Sequence, residues 1–263
     1  MDVKNRLVMP AMGTNLASHD GSVSQELISY YTERARGGFG LIIKESSAVS
    51  YDGRSLINEC GIWDDSLISG YQALTDSVHK YGAKIAVQLR HCGRETEAKY
   101  TGGKEVMAPS RVPCPSCQSM PHEMTAEEVY VMVEAFGDAA LRAKKAGFDA
   151  VELDASHGYL IAQFLSGHAN KSTDEFGGSL HNRMRFLRLV LENIRKKVGE
   201  EFPVIVRISG SEMITGGREV QETKAVCRMC EEEGAAAIHV SISTYGSLCY
   251  CIGSTYLAPG YET

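Results

Sequence analysis

An apolar run, then a capped amphipathic stretch ended by glycine, then another apolar run: this alternation recurs about six times and restricts the fold more than any other feature of the sequence. The runs are residues 6–12, 41–43, 84–89, 150–153, 203–208 and 236–240. Between them lie helical stretches. Ser24 caps one over 25–36 that stops at Gly37-Gly38, and another spans about 66–81 and stops at Gly82. Thr125, with Glu127 and Glu128 behind it, opens a third that reaches about Ala146 and stops at Gly147. Two more occupy 180–198 before Gly199 and 220–233 before Gly234. Strands alternating with helices call for parallel strands joined by right-handed crossovers. At 263 residues, an α/β barrel of about 250 residues is the natural fit.

The count falls short of that barrel. About six strand–helix units stand against the eight that close one, and a long loop over 90–124 holds most of the prolines. After Ser241 the chain passes Tyr245, Cys249, Pro259 and Gly260 without another strand-like run. The expectation is an incomplete (β/α)8 TIM barrel, residues 1–263 forming one domain cut at its C-terminal side, with bare sheet edges. The net charge of −6 gives no basic footprint for nucleic acid, and no apolar run reaches the roughly 18 residues of a membrane span. The N-terminus lacks the apolar core of a signal peptide, so the cytoplasm is the expected compartment. Eight cysteines in such a chain read as reduced thiols rather than a disulfide framework.

The run 150–153 leads straight into Ser156-His157-Gly158-Tyr159. Barrel enzymes carry their catalysts at the C-terminal ends of strands, so His157 and Tyr159 stand where chemistry would be done. The plain alternative is a histidine and a tyrosine that merely end a strand. Beyond them come HGYLIAQFLS, Asn170, Asp174-Glu175-Phe176-Gly177-Gly178-Ser179, Asn182-Arg183 and Arg185-Phe186. In that order, over some forty positions, these residues resemble the Old Yellow Enzyme family of FMN-dependent ene-reductases. They are most similar to its branch of 2,4-dienoyl-CoA reductases and bile-acid-inducible NADH:flavin oxidoreductases.

The resemblance implies a set of roles. Gln88 matches the glutamine that bonds the flavin pyrimidine edge, and Arg207 the arginine beside N1. Ala11, Met12 and Gly13 match the backbone shelf after strand 1, and Ser46 the small residue after strand 2. His157 matches the donor to the substrate carbonyl, and Tyr159 the acid that protonates the α-carbon. Asp154 stands where many members have histidine, and Gly13 where several have cysteine or threonine. Tyr245 takes the place of a histidine that the dienoyl-CoA branch draws from the loop after strand 6. The family's phosphate-holding loops lie in two further units, and the branch's 4Fe–4S motif belongs to a longer version of the chain.

The implied activity is reduction of the activated C=C bond of an enone or enoyl thioester by NADH or NADPH through FMN. The partner is then a small molecule, with no nucleic acid or membrane, and there is room for a homo-oligomer. Two other readings stay open: a lyase or aldolase using a strand-end lysine, for which only Lys44 is placed, and a non-catalytic fragment that needs a partner. Cys114-Pro115-Ser116-Cys117 is a lone CxxC without further ligands nearby along the chain, so it reads as a loop over the substrate mouth and no metal site is assigned. Cys227 and Cys230 share a helix face, while Cys249 and Cys251 are too close to chelate unaided. Asp174, Gly177, Gly178, Asn182, Arg183 and Arg185 read as a locked turn and helix start. His19, His79, His122, His168, His181 and His239 read as surface or satisfied core residues.

Overall fold

The computed structural model describes residues 1–117 and 119–247, so Cys249, Cys251, Pro259 and Gly260 lie outside the described residues. In chain order the elements are β1 (Val8–Met9), α1 (Gln25–Arg36), β2 (Leu41–Ala48), β3 (Cys60–Gly61), α2 (Ile68–His79), β4 (Lys84–Arg90), β5 (Met107–Ala108) and β6 (His122–Glu123). Then come α3 (Ala126–Lys145), β7 (Ala150–Ala155), α4 (Leu160–Leu165), α5 (Leu180–Val198), β8 (Val204–Ser209), α6 (Val220–Glu232) and β9 (Ala237–Ser241). A seven-stranded sheet follows the order β1-β2-β4-β7-β8-β9, with β3 paired to β2 off that path. Every pairing in it is parallel. The sheet curls on itself: Arg207 of β8 reaches across to donate to the Ala11 carbonyl beyond β1, at 3.2 Å. This is the parallel architecture of an α/β barrel, open between β1 and β9 among the described residues.

The caps act as the sequence predicts. The Ser24 hydroxyl accepts from Leu27 N, and Thr125 with Glu128 closes a full capping box at the start of α3. Gly199 ends α5 at φ +83°, a conformation that costs glycine nothing. Alternate strand residues divide two environments. Val151, Leu153, Val204, Val206, Ile85, Val87 and Leu89 face the helices and form the main core. Ala11, Leu41, Ile43, Ala86, Ala150 and Ile205 form a second, smaller apolar cluster within the curl. Two residues further along β4, β7 and β8, the same inward parity brings Gln88, Glu152 and Arg207 above that apolar floor.

Several boundaries depart from the sequence reading. The strand expected over 6–12 shrinks to Val8–Met9, because Pro10 has no N–H to continue a ladder. Strand 2 runs on to Ala48, its polar end Lys44–Ser47 wholly buried, which composition alone conceals. Its register slips between Lys44 and Ser46, so Glu45 is an extra residue. Strict alternation from Ile43 would turn Glu45 inward. The bulge instead pairs Ser46 with Gln88 and turns Ser46 to the interior. α4 and the short strands β3, β5 and β6 were not foreseen; the last two pair within the proline-rich loop.

The turn after α4 is locked by side chains. Asn170 donates to the carbonyls of Phe164 and Phe176, both at 2.8 Å, and Asn182 donates to Gly177 O at 3.0 Å. Arg183 donates to Gly178 O and pairs with Glu222 at 2.7 Å. A Cβ on Gly177 would sit 2.0 Å from Ser172 O, so only glycine fits there. Beneath this turn the Phe164 and Phe186 rings pack at 4.4 Å between centroids.

Candidate active site

The inward residues at the strand ends enclose a cavity of about 370 Å³. Ala11, Met12, Gly13, Ser46, Gln88, His157, Tyr159, Arg207 and Tyr245 all line it. Sequence reasoning gave no role to Arg90, Ser55 or Leu56, which line it too, alongside Asp154. Arg90 was within reach, since it lies two residues beyond Gln88 and strand parity puts both on one face. A larger cleft of about 610 Å³ lies against α3 and carries none of these groups.

Each wall has a local cause. The loop after β1 is pinned by Thr14 N donating to the Glu45 carboxylate, the bulge residue of β2. Gln88 gives an amide hydrogen to Glu152 at 2.8 Å, and His239 meets the other Glu152 oxygen at 2.8 Å. A carboxylate only accepts, so this bond fixes which end of the Gln88 amide is which. The carbonyl oxygen and second amide hydrogen stay available. Arg207 spends Nη1 on Ala11 O, and its Nε is buried without a partner among the described residues.

On the opposite wall the Arg90 guanidinium sits 4.4 Å over the Tyr159 ring and donates to Ser55 and Glu59. The Tyr159 and Tyr245 hydroxyls approach to 3.4 Å, their rings edge to face at 5.7 Å. Burial raises the Tyr159 phenol well above its ordinary 10, only partly offset by Arg90, and burial also raises Tyr245. Both phenols keep their protons at neutral pH.

His157 has φ +56°, a left-handed backbone that turns its ring off the strand line, and its N–H donates to Ser209 Oγ. Its Nδ1 lies 2.9 Å from Ser156 Oγ, which donates to Asp154 at 2.6 Å, and its Nε2 lies 2.7 Å from Ser241 Oγ. Because Ser156 spends its proton on Asp154, Nδ1 carries the ring proton and Nε2 accepts from Ser241. Burial lowers this imidazole to about 4, against the opposing pull of Asp154 and with help from Arg207 and Arg90. The ring is therefore neutral, with both nitrogens engaged.

Lys44, the lysine considered for lyase chemistry, is absent from this cavity. Its ammonium bonds Ser47 Oγ at 2.9 Å and lies 5.5 Å from the Tyr71 ring of α2, on the helix side of the strand. His79, His122 and His168 are satisfied by Asp149, Glu128 and Thr215 O. The six described cysteines are free thiols, with Cys230 buried and Cys227 half-buried on one face of α6. Glu95, nineteen residues upstream of Cys114, has a carboxylate oxygen within 4.8 Å of the sulfurs of Cys114 and Cys117. Chain distance conceals that proximity.

A sequence model of the NADH:flavin oxidoreductase / NADH oxidase family matches residues 1–247. The chain belongs to this family. The NADH oxidase of Thermoanaerobacter brockii is 45% identical over 247 residues, covering 94% of this chain and 38% of that protein. The NADPH dehydrogenase of Bacillus subtilis is 39% identical over 264 residues, covering 100% of this chain and 75% of that protein. Among solved structures, a 2-naphthoyl-CoA reductase in complex with 2-naphthoyl-CoA superposes with a TM-score of 0.88 at 33% identity, covering 92% of this chain and 39% of that one. The Old Yellow Enzyme homologue of Zymomonas mobilis gives 0.85 at 28% identity, covering 91% and 70%. The chain thus spans well under half of two of these relatives and about 70–75% of the other two.

Members of the NADH:flavin oxidoreductase family carry FMN. The residues present fit a flavin ring. The Arg207 Nε, unpartnered among the described residues, and the spare polar atoms of Gln88 suit the oxygens and N–H of a pyrimidine edge, and Ala11, Met12 and Gly13 line the same cavity.

Proposed function

We propose that this chain supplies the flavin and substrate faces of an FMN-dependent reductase that uses NADH or NADPH to saturate the activated C=C bond of an α,β-unsaturated carbonyl or enoyl thioester. The observation that carries the reading is a proton-bearing phenol, Tyr159, sharing one cavity with the donors Gln88 and Arg207. Bound FMN supplies the hydride chemistry.

The chain's residues provide position, charge and a proton. Tyr159 holds a proton above neutral pH and offers it to the α-carbon, while Arg90, 4.4 Å over its ring, steadies the phenolate that remains. Tyr245, 3.4 Å away, is the donor best placed to polarise the substrate oxygen. For His157 to share that task, Nε2 must bear the ring proton, so Ser156 must turn its hydroxyl from Asp154 to Nδ1. Gln88 and Arg207 hold the ring edge, and the guanidinium compensates negative charge there. The enoyl-thioester arm draws on the naphthoyl-CoA complex, and the two nucleotide options on relatives described as NADH oxidase and NADPH dehydrogenase.

The test is stopped-flow kinetics of FMN-loaded Tyr159→Phe. Ring packing on Arg90 survives, so FMN reduction by NAD(P)H is expected unchanged while alkene reduction slows by about 10²–10⁴-fold. Equal loss in both half-reactions would remove Tyr159 from the acid role, and a chain that ignores added FMN would overturn the whole reading.

A further inference from the structure

We propose that Glu95, Cys114 and Cys117 form a binding site for a zinc-type divalent cation at the rim of the cavity, with water as fourth ligand. One Glu95 oxygen and the two sulfurs lie within 4.8 Å of one another. Tetrahedral zinc, with bonds of about 2.0–2.3 Å, holds its ligands roughly 3.5 Å apart. Cys117 is half-buried, while Glu95 and Cys114 are buried, so its side chain has the most room of the three to adjust.

The local turn gathers the two thiols, and the buried carboxylate beside them points to a cation. The Cys114 sulfur accepts backbone N–H groups from Ser116 at 3.3 Å and Cys117 at 3.4 Å. The turn that these two hydrogen bonds close brings the second thiol beside the first. Glu95 is 1% exposed, neither carboxylate oxygen makes a hydrogen bond of good geometry among the described residues, and the side chain it approaches is the Cys114 thiol of the same cluster. The nearest cation, Arg94, has its Nε 3.5 Å from Glu95 Oε1, in contact but without a hydrogen bond. A buried carboxylate left this way is costly unless something else compensates it. Two thiolates and a carboxylate carry three negative charges; a divalent ion and Arg94 cancel them. Two sulfurs with one oxygen select zinc over magnesium or calcium.

The location gives the site a consequence. A Cβ on Gly158, between His157 and Tyr159, would lie 3.0 Å from Glu95 Oε1, and Ser116 Oγ donates to Tyr245 O at 3.5 Å. A cation here ties the CxxC loop to the turn after β4 and braces the Tyr245 wall. The site stands whether or not the proposed reaction does.

The experiment is metal analysis of the full chain, purified with reductant and without chelator, followed by cobalt(II) titration of the metal-stripped protein. About one zinc per chain is expected, and cobalt should give thiolate charge-transfer bands with intense tetrahedral visible bands. Cys114→Ser and Glu95→Gln should each lose that spectrum, while Cys227→Ser keeps it; circular dichroism shows that the variants are folded. Cobalt titration of the unaltered chain needs no variant, so misfolding cannot mask the answer. Background zinc with a weak octahedral cobalt spectrum would overturn the proposal. So would a tetrahedral spectrum that survives in folded Cys114→Ser.

Discussion

The imidazole of His157 offers the sharpest quantitative test, because its surroundings define both its charge and its tautomer. Burial lowers it from 6.5 to about 4. Between those values the unfolded chain binds a proton that the folded chain refuses, so folding stability falls as pH falls through 6.5 toward 4 and is fully present above 6.5. At roughly 1.4 kcal/mol per pH unit the whole interval is worth about 3 kcal/mol, of which about 2 falls between pH 7 and 5. Solvent entering the cavity makes these upper figures. The assay is denaturant unfolding at those two pH values for the unaltered chain and His157→Asn, asparagine being tolerant of the positive φ at this position. Carboxylates titrate in both proteins and cancel in the comparison, leaving the variant less pH-sensitive by up to about 2 kcal/mol. Nitrogen-15 shifts should show the proton on Nδ1. Parallel pH dependence in the two proteins, or a His157 midpoint near its ordinary value, would refute the reasoning.

Other expectations follow from the same contacts. Phe164→Ala, removing a ring packed 4.4 Å from Phe186, should destabilise by about 3–5 kcal/mol in denaturant unfolding. Gly177→Ala should lower the melting temperature and expose the Phe176 turn to proteolysis, because its Cβ meets Ser172 O at 2.0 Å; an unchanged melt would mean the turn yields. Arg207→Gln should weaken FMN binding by about 1.5–3 kcal/mol in fluorescence titration, and unaltered affinity with unaltered reduction potential would detach Arg207 from the flavin.

The amino-acid sequence by itself determined the architecture, because its signals are local. Apolar runs set the strands, and caps and glycine stops bounded α1 and α5 at the residues expected, 25–36 and 180–198. Strand parity is equally local, and it carries Ala86, Gln88 and Arg90 to one face. Tertiary structure alone decided the rest, because each remaining feature joins residues far apart in the chain. The bulge at Glu45 changes which serine faces inward, and it arises from pairing with β4. Glu152 of β7 links Gln88 of β4 to His239 of β9, and the His157 Nε2 finds its partner in Ser241 on β9, 84 residues further along the chain. Glu95 meets Cys114 and Cys117 because the β4 turn and the proline-rich loop fold onto one rim, and no spacing along the chain encodes that meeting.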